Sequence, residues 1–108
     1  RVGFDWKEAA GALDKVLEEA AEVAEELGQP EEVPGRLEKE IGDLLFSVVN
    51  VARLCAKDPE AVLRGAVDKF IERFSYVENR ALAAGHSLAD TPMEELDAYW
   101  EEAKRQGL

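Results

Sequence analysis

From Leu37 to Ala56 the chain reads LEKEIGDLLFSVVNVARLCA, and no other stretch limits the possible folds as much. On a helix advancing roughly 100° per residue, Ile41, Leu44, Leu45, Val48, Val51, Ala52 and Cys55 form a broad apolar face. Phe46, Val49 and Leu54 carry apolarity around the other side, so the helix is expected to be buried nearly all round. Against that background Glu40, Asp43, Ser47 and Asn50 fall at i, i+3, i+7 and i+10, gathered into one narrow polar stripe. Buried carboxylates are costly unless paired, protonated or bound to a cation, and no Lys, Arg or His shares the stripe. A metal ion would resolve the conflict.

With 108 residues the chain is expected to form a single domain, 1–108, large enough for a core but small enough to gain from self-association when so apolar a helix must be covered. An oligomer is therefore expected. The 24 acidic and 13 basic residues leave a formal charge of −11, which argues against a nucleic acid polymer as partner, since duplex binding needs a basic patch. The same charge argues against an anionic membrane surface. Cys55 is the sole cysteine and sits in the apolar helix, so no disulfide framework exists and a cytoplasmic setting fits best. There is no run of about 18 apolar residues and no signal-peptide pattern. Arg1 opens the chain in place of a methionine, which suggests that further residues precede it.

Taken in order, the chain reads as helix after helix. Asp5 with Glu8 makes a capping arrangement, and Leu13, Val16, Ala20, Val23 and Leu27 recur at spacings of three and four until Gly28. The segment 29–35, with two prolines and a glycine, is a connection, and Pro34 is placed to start the second helix. Asp58-Pro59 supplies an N-cap and first-turn proline for a third helix reaching about Ala84, with Val62, Ala66, Val67, Phe70, Phe74, Val77 and Leu82 inward. Gly85 closes it. Thr91-Pro92 then caps a shorter fourth helix with Met93, Leu96, Tyr99 and Trp100 apolar. With no convincing strand, the expected class is an all-α, four-helix bundle subunit.

Two acidic clusters carry the chemistry. Glu18, Glu19 and Glu22 lie on the first helix, and Glu19 and Glu22 share the i, i+3 spacing that Glu40 and Asp43 repeat on the second. If the two helices face one another, four carboxylates converge. Oxygen-only ligands without His or Cys favour hard cations, Mg²⁺ first and Mn²⁺ next. Taken alone, the first cluster reads more readily as a solvated acidic face, as acidic runs on helices usually are. The second, embedded in an apolar helix, has no such simple explanation.

The ordered set of EExxE (Glu18, Glu19, Glu22), a gap of 17 residues, and ExxD within EIGDLLFSVVNVAR resembles the MazG family of nucleoside triphosphate pyrophosphohydrolases, within the all-α NTP pyrophosphatase superfamily. GFDW at Gly3 to Trp6, KFIERFSYVE at Lys69 to Glu78 and MEELDAYWEEAKRQ at Met93 to Gln106 extend the likeness over nearly the whole chain. The tail is most like the C-terminal catalytic domain of two-domain MazG proteins.

The resemblance implies that Glu19, Glu22, Glu40 and Asp43 bind Mg²⁺, with Mn²⁺ as a substitute, and that Glu18 or Glu22 takes a proton from the attacking water. It assigns Lys69 and Arg73 to the phosphates, and Trp100 and Lys104 to the nucleotide. Spacing agrees, since each of these pairs stands at i, i+4; Arg adds a planar fork to the point charge of Lys. Asn50, on the same stripe as Glu40 and Asp43, would hydrogen-bond around the metal ligands. The implied reaction is Mg²⁺-dependent hydrolysis of a (deoxy)nucleoside triphosphate to the monophosphate and pyrophosphate, by a homodimer. Alternatives are a narrower relative (a dUTPase, dCTP pyrophosphatase or phosphoribosyl-ATP pyrophosphatase) or a non-enzymatic metal-binding bundle. A di-iron bundle would pair Glu with His at ExxH spacing, and His86 lies outside both clusters.

Overall fold

A computed structural model describes residues 6–108, the side chain of Trp6 excepted. The expected Asp5 cap, and Gly3 to Asp5 of the GFDW motif, lie outside the described residues. Four α-helices follow in order, α1 (Trp6–Leu27), α2 (Arg36–Leu54), α3 (Pro59–Ala83) and α4 (Met93–Arg105), with a 3₁₀ turn (Leu88–Asp90) before the last. Among the described residues there is no strand, as the helical periodicity requires. The helices fall into two compact units, one ending at Pro59 and one running from Glu60 to Leu108.

In the first unit α1 and α2 pack on one another. The covered stripe of α1 is Ala9, Ala12, Val16, Glu19, Val23 and Glu26, and that of α2 includes Leu37, Glu40, Leu44, Ser47 and Val51. Both runs step by three and four residues, the spacing that keeps one helix face against a neighbour. Glu19 and Glu40 thus stand in the seam itself. The expected inward set of α1 is corrected in part, because Leu13, Ala20 and Leu27 are exposed, and Leu17 stands 64% exposed as well. The expectation that α2 is buried nearly all round is also corrected for the chain by itself: Ile41, Leu45, Phe46 and Val48 are exposed, Phe46 to 73%. One partner helix covers one stripe. At the hairpin end Arg36 closes on Glu26, Nη2 to Oε2 at 3.0 Å. Pro34 does not start α2; Gly35, with φ of 86°, turns the chain in the left-handed region and the helix begins one residue later.

Helix α2 ends in a left-handed cap. Ala56 N–H donates to Arg53 O at 3.0 Å and Lys57 N–H to Ala52 O at 2.9 Å, with Ala56 at φ 58°. The same bond pattern ends α3 at Gly85 and α4 at Gly107, where glycine carries the positive φ. An alanine in that conformation is strained by its Cβ, so Ala56→Gly is expected to raise stability by about 1 kcal/mol. Chemical denaturation of the two proteins measures it, and an unchanged midpoint would contradict the strain.

The second unit joins α3 to α4 through long polar side chains. Glu102 of α4 accepts from the Tyr76 hydroxyl and, at 2.7 Å, from Arg80 Nε, while Gln106 Nε2 donates to Tyr76 Oη at 3.1 Å. Arg80 also lies over the Tyr99 ring, 4.8 Å from its centroid. Only Val77, Ala81 and Ala103 of this unit's apolar side chains are buried; Val62, Ala66, Val67, Phe70, Phe74 and Leu82, expected inward, are exposed in the chain. Nor does Thr91 cap α4. Its hydroxyl turns back to Ser87 O at 2.7 Å, and Pro92 occupies the cap position without a side-chain acceptor.

The Arg80 and Tyr76 hydrogen bonds hold the Glu102 carboxyl below its ordinary value, against the opposing effect of burial. A carboxyl with a lowered pKa in the folded state binds protons more readily once unfolded. Its stabilising effect is therefore complete above the ordinary carboxylate range and fades as pH falls through that range toward the lower folded value. Thermal melts should show wild type losing stability in this acid window by more than Glu102→Gln does. Parallel losses would remove Glu102 from the acid response.

Candidate functional site

The seam between α1 and α2 brings three of the expected ligands together: Glu19, Glu22 and Glu40 each offer a carboxylate oxygen, all within 4.8 Å of one another. Helix geometry explains the placement. Glu19 and Glu22 are one turn apart on α1, and Glu40 enters from α2 at the matching level of the paired stripe. Glu19 is only 8% exposed. Its Oε2 and the Oε2 of Glu40 are buried without any hydrogen-bond partner, a state that proteins rarely leave uncompensated. The Glu22 carboxyl is pushed above its ordinary value, first by the charge of Glu19, then by burial and by the proximity of Glu40.

Three carboxylates that repel one another, two of them with unsatisfied buried oxygens, fit a hard divalent cation. An oxygen-only donor set is the coordination that Mg²⁺ and Mn²⁺ accept and that softer metals do not favour. A purely structural acidic face would be solvated, and these oxygens are not.

Asp43 stands beside the trio. Its Oδ2 is 3.3 Å from Lys39 Nζ, and with Lys15, Glu19, Phe46, Ser47 and Asn50 it lines a cavity of about 270 Å³. Asn50 therefore sits where the polar stripe placed it. Ser47 is buried and spends its hydroxyl on Leu44 O at 2.7 Å. Glu18 lies on the exposed flank, paired with Lys15 at 3.2 Å. The two lysines are what the sequence argument missed: no basic residue shares the stripe of Glu40 and Asp43, but Lys15 and Lys39 reach the carboxylates from one helical turn away. Their i, i+4 spacing to Glu19 and Asp43 was the available signal.

The phosphate and nucleotide candidates all belong to the second unit. Arg73 donates its Nε to Leu108 O at 2.7 Å, and its guanidinium lies 5.6 Å from the centroid of the Trp100 ring. Trp100 meets Phe70 at 5.4 Å between centroids. Phe70, Phe74, Val77, Leu88, Met93 and Trp100 line most of an open apolar cavity of about 520 Å³. Aromatic side chains around such a space offer faces for a flat ring. Lys69 is exposed one turn before Arg73, and Lys104, one turn after Trp100, is 3.7 Å from Glu101. The cavity was not foreseen. Its aromatic spacing in α3 reads as a core face, and only the exposure of Phe70 and Phe74 shows it open.

Among known proteins, the MazG nucleotide pyrophosphohydrolase domain model matches residues 8–77. The chain is 46% identical over 104 residues to the nucleoside triphosphate pyrophosphohydrolase/pyrophosphatase MazG of Thermotoga maritima, covering 96% of this chain and 39% of that protein. It is 40% identical over 107 residues to a nucleoside triphosphate pyrophosphohydrolase of Escherichia coli K12, covering 99% of this chain and 41% of that one. A Bacillus subtilis protein named YabN, uncharacterized, shares 48% identity over 68 residues, which are 63% of this chain and 14% of YabN. The chain thus spans about two fifths of the length of its two full-span relatives. The matched region takes in both glutamate-bearing helices as well as Lys69 and Arg73, and on that likeness the chain belongs to the MazG nucleotide pyrophosphohydrolase family.

Proposed function

We propose that the protein hydrolyses nucleoside or deoxynucleoside triphosphates to the monophosphate and pyrophosphate in the presence of Mg²⁺, with Mn²⁺ able to substitute. One observation carries this reading: two buried carboxylate oxygens without partners, in a cluster of three glutamates, on a chain of the MazG family. Glu19, Glu22 and Glu40 would hold the ion, joined by Asp43 from the rim of the adjoining cavity. When bound, the ion supplies charge neutralisation at the phosphates and a water of lowered pKa.

The protein's own groups do the rest. Glu22, whose proton affinity the charge of Glu19 raises above the ordinary carboxylate value, takes the proton from the attacking water, and Glu18 on the exposed flank is the second candidate. Arg73 and Lys69 hold the departing pyrophosphate by charge-assisted hydrogen bonds. Trp100 receives the base against the apolar cavity, with Lys104 one turn away reaching the nucleotide's anionic part. Asn50 orients its neighbours around the ion by hydrogen bonding.

The two units serve one catalytic domain, 1–108, in this reading, since the matched region 8–77 runs from α1 into α3. A homodimer completes it. Leu17, Leu45 and Phe46 are exposed to 64%, 62% and 73%, and the buried apolar side chains among the described residues are Ala9, Val77, Ala81 and Ala103, too little for a chain of this size. Among the described residues no helix is long and apolar enough to cross a membrane, and a cytoplasmic setting is proposed from the single cysteine.

A panel of canonical triphosphates, incubated with Mg²⁺ but without inorganic pyrophosphatase, tests the reaction. Monophosphate and pyrophosphate should form in equal amounts from at least one substrate. Orthophosphate with an accumulating diphosphate would overturn the proposal. Cleavage confined to one pyrimidine triphosphate would instead favour a narrower relative such as a dUTPase or dCTP pyrophosphatase.

A further inference from the structure

We infer that Lys15 and Lys39 are built-in counter-ions of the carboxylate cluster, holding its outer oxygens while no metal is bound and thereby setting how tightly Mg²⁺ binds. The inference rests on the proposed reading of the cluster as the metal site. Lys15 Nζ lies 3.2 Å from Glu18 Oε1 and 3.4 Å from Glu19 Oε1. Lys39 Nζ lies 3.6 Å from Glu40 Oε1 and 3.3 Å from Asp43 Oδ2. On each helix one lysine meets two carboxylates, at i+3 and i+4 on α1 and at i+1 and i+4 on α2. In each seam glutamate the lysine meets Oε1, and it is the other oxygen, Oε2, that is buried without a partner. Each carboxylate is thus divided between an ammonium on its outer oxygen and an unpartnered, buried inner oxygen.

Helix support does not account for the lysines. Both i, i+4 pairs place the lysine N-terminal to the acid, the weaker orientation for stabilising a helix. Both lysine side chains are more than half exposed, where an isolated pair contributes little to stability. What the pairs do change is the net charge around the cluster. An ammonium at this range relieves repulsion among the glutamates in the metal-free protein and opposes the approach of a dication.

Lys15→Met and Lys39→Met should therefore each bind Mg²⁺ about fivefold tighter than wild type by calorimetry, a modest change because solvent screens the exposed ammonium groups. Each should also lower the melting temperature of the metal-free protein and enlarge the rise that Mg²⁺ produces. Lys15→Arg and Lys39→Arg, which keep the charge, should stay near wild type. Unchanged or weaker Mg²⁺ binding in both methionine variants, with melting temperatures lowered equally with and without Mg²⁺, would overturn the inference and leave the lysines as surface pairs. A wild-type protein that binds no Mg²⁺ at millimolar concentration would remove the metal-site reading itself, and this inference with it. Because the two lysines sit on different helices, failure of one variant to fold leaves the other to decide.

Discussion

Replacing Glu19 by glutamine is expected to reduce turnover by roughly 10³-fold, the upper range for loss of one preorganised electrostatic group in an active site. Glu19 is the most buried of the three clustered carboxylates, and one of its oxygens has no hydrogen-bond partner among the described residues. An amide there keeps the shape but offers a neutral ligand to a hard cation. Metal-free stability should not fall, because the change removes one of three mutually repelling charges, the repulsion that raises Glu22. Asp43→Asn should also weaken Mg²⁺ binding and turnover, by less, since Asp43 is half-exposed and already paired with Lys39. Steady-state rates with Mg²⁺ calorimetry and a thermal melt on each variant make the measurement. A Glu19→Gln enzyme with near-normal turnover would take Glu19 out of the metal site.

Arg73→Ala is expected to lower kcat by roughly 10²-fold and to raise KM as well. Its charge is proposed to meet the departing pyrophosphate, where negative charge grows as the bond breaks. The side chain also contacts Leu108 O and the Trp100 ring, so its loss frees the ring that is proposed to seat the base. Arg73→Lys separates the two roles. Lysine restores a point charge but not the planar fork or the stacking, so kcat should recover further than KM. A rise in KM with kcat untouched in Arg73→Ala would confine Arg73 to ground-state binding.

The four helices were legible in the sequence because their signals are local: period, proline and glycine placement, and breaks at Gly28, Asp58-Pro59 and Gly85. Their boundaries failed where a local rule met a competing one. Pro34 satisfies the rule for a first helical turn, but Gly35 takes a left-handed turn and moves the start to Arg36. Thr91 has the chemistry of a cap, but Ser87 O offers its hydroxyl a partner first.

The buried faces were harder to read. In α1 the apolar residues Leu13, Leu17 and Leu27 lie outside the packed stripe, which instead carries Glu19 and Glu26 between small and β-branched residues. Hydrophobicity alone misplaces part of the buried face when the packed seam carries carboxylates. The polar stripe of α2 was the better guide, since a carboxylate on an otherwise apolar helix is expensive unless something balances it. The balancing lysines escaped notice because they sit off the stripe and reach back over one turn. Nothing in the spacing of Phe70, Phe74 and Trp100 distinguishes an open cavity from a core.

The most direct measurement is a crystal structure grown with Mn²⁺, using the ion's anomalous signal to locate it. The account predicts Mn²⁺ coordinated by Glu19, Glu22 and Glu40, with Asp43 beside it and Lys15 and Lys39 on the outer oxygens or displaced from them. Mn²⁺ bound elsewhere on the chain, with the three glutamates bare and their buried oxygens still unpartnered, would contradict it.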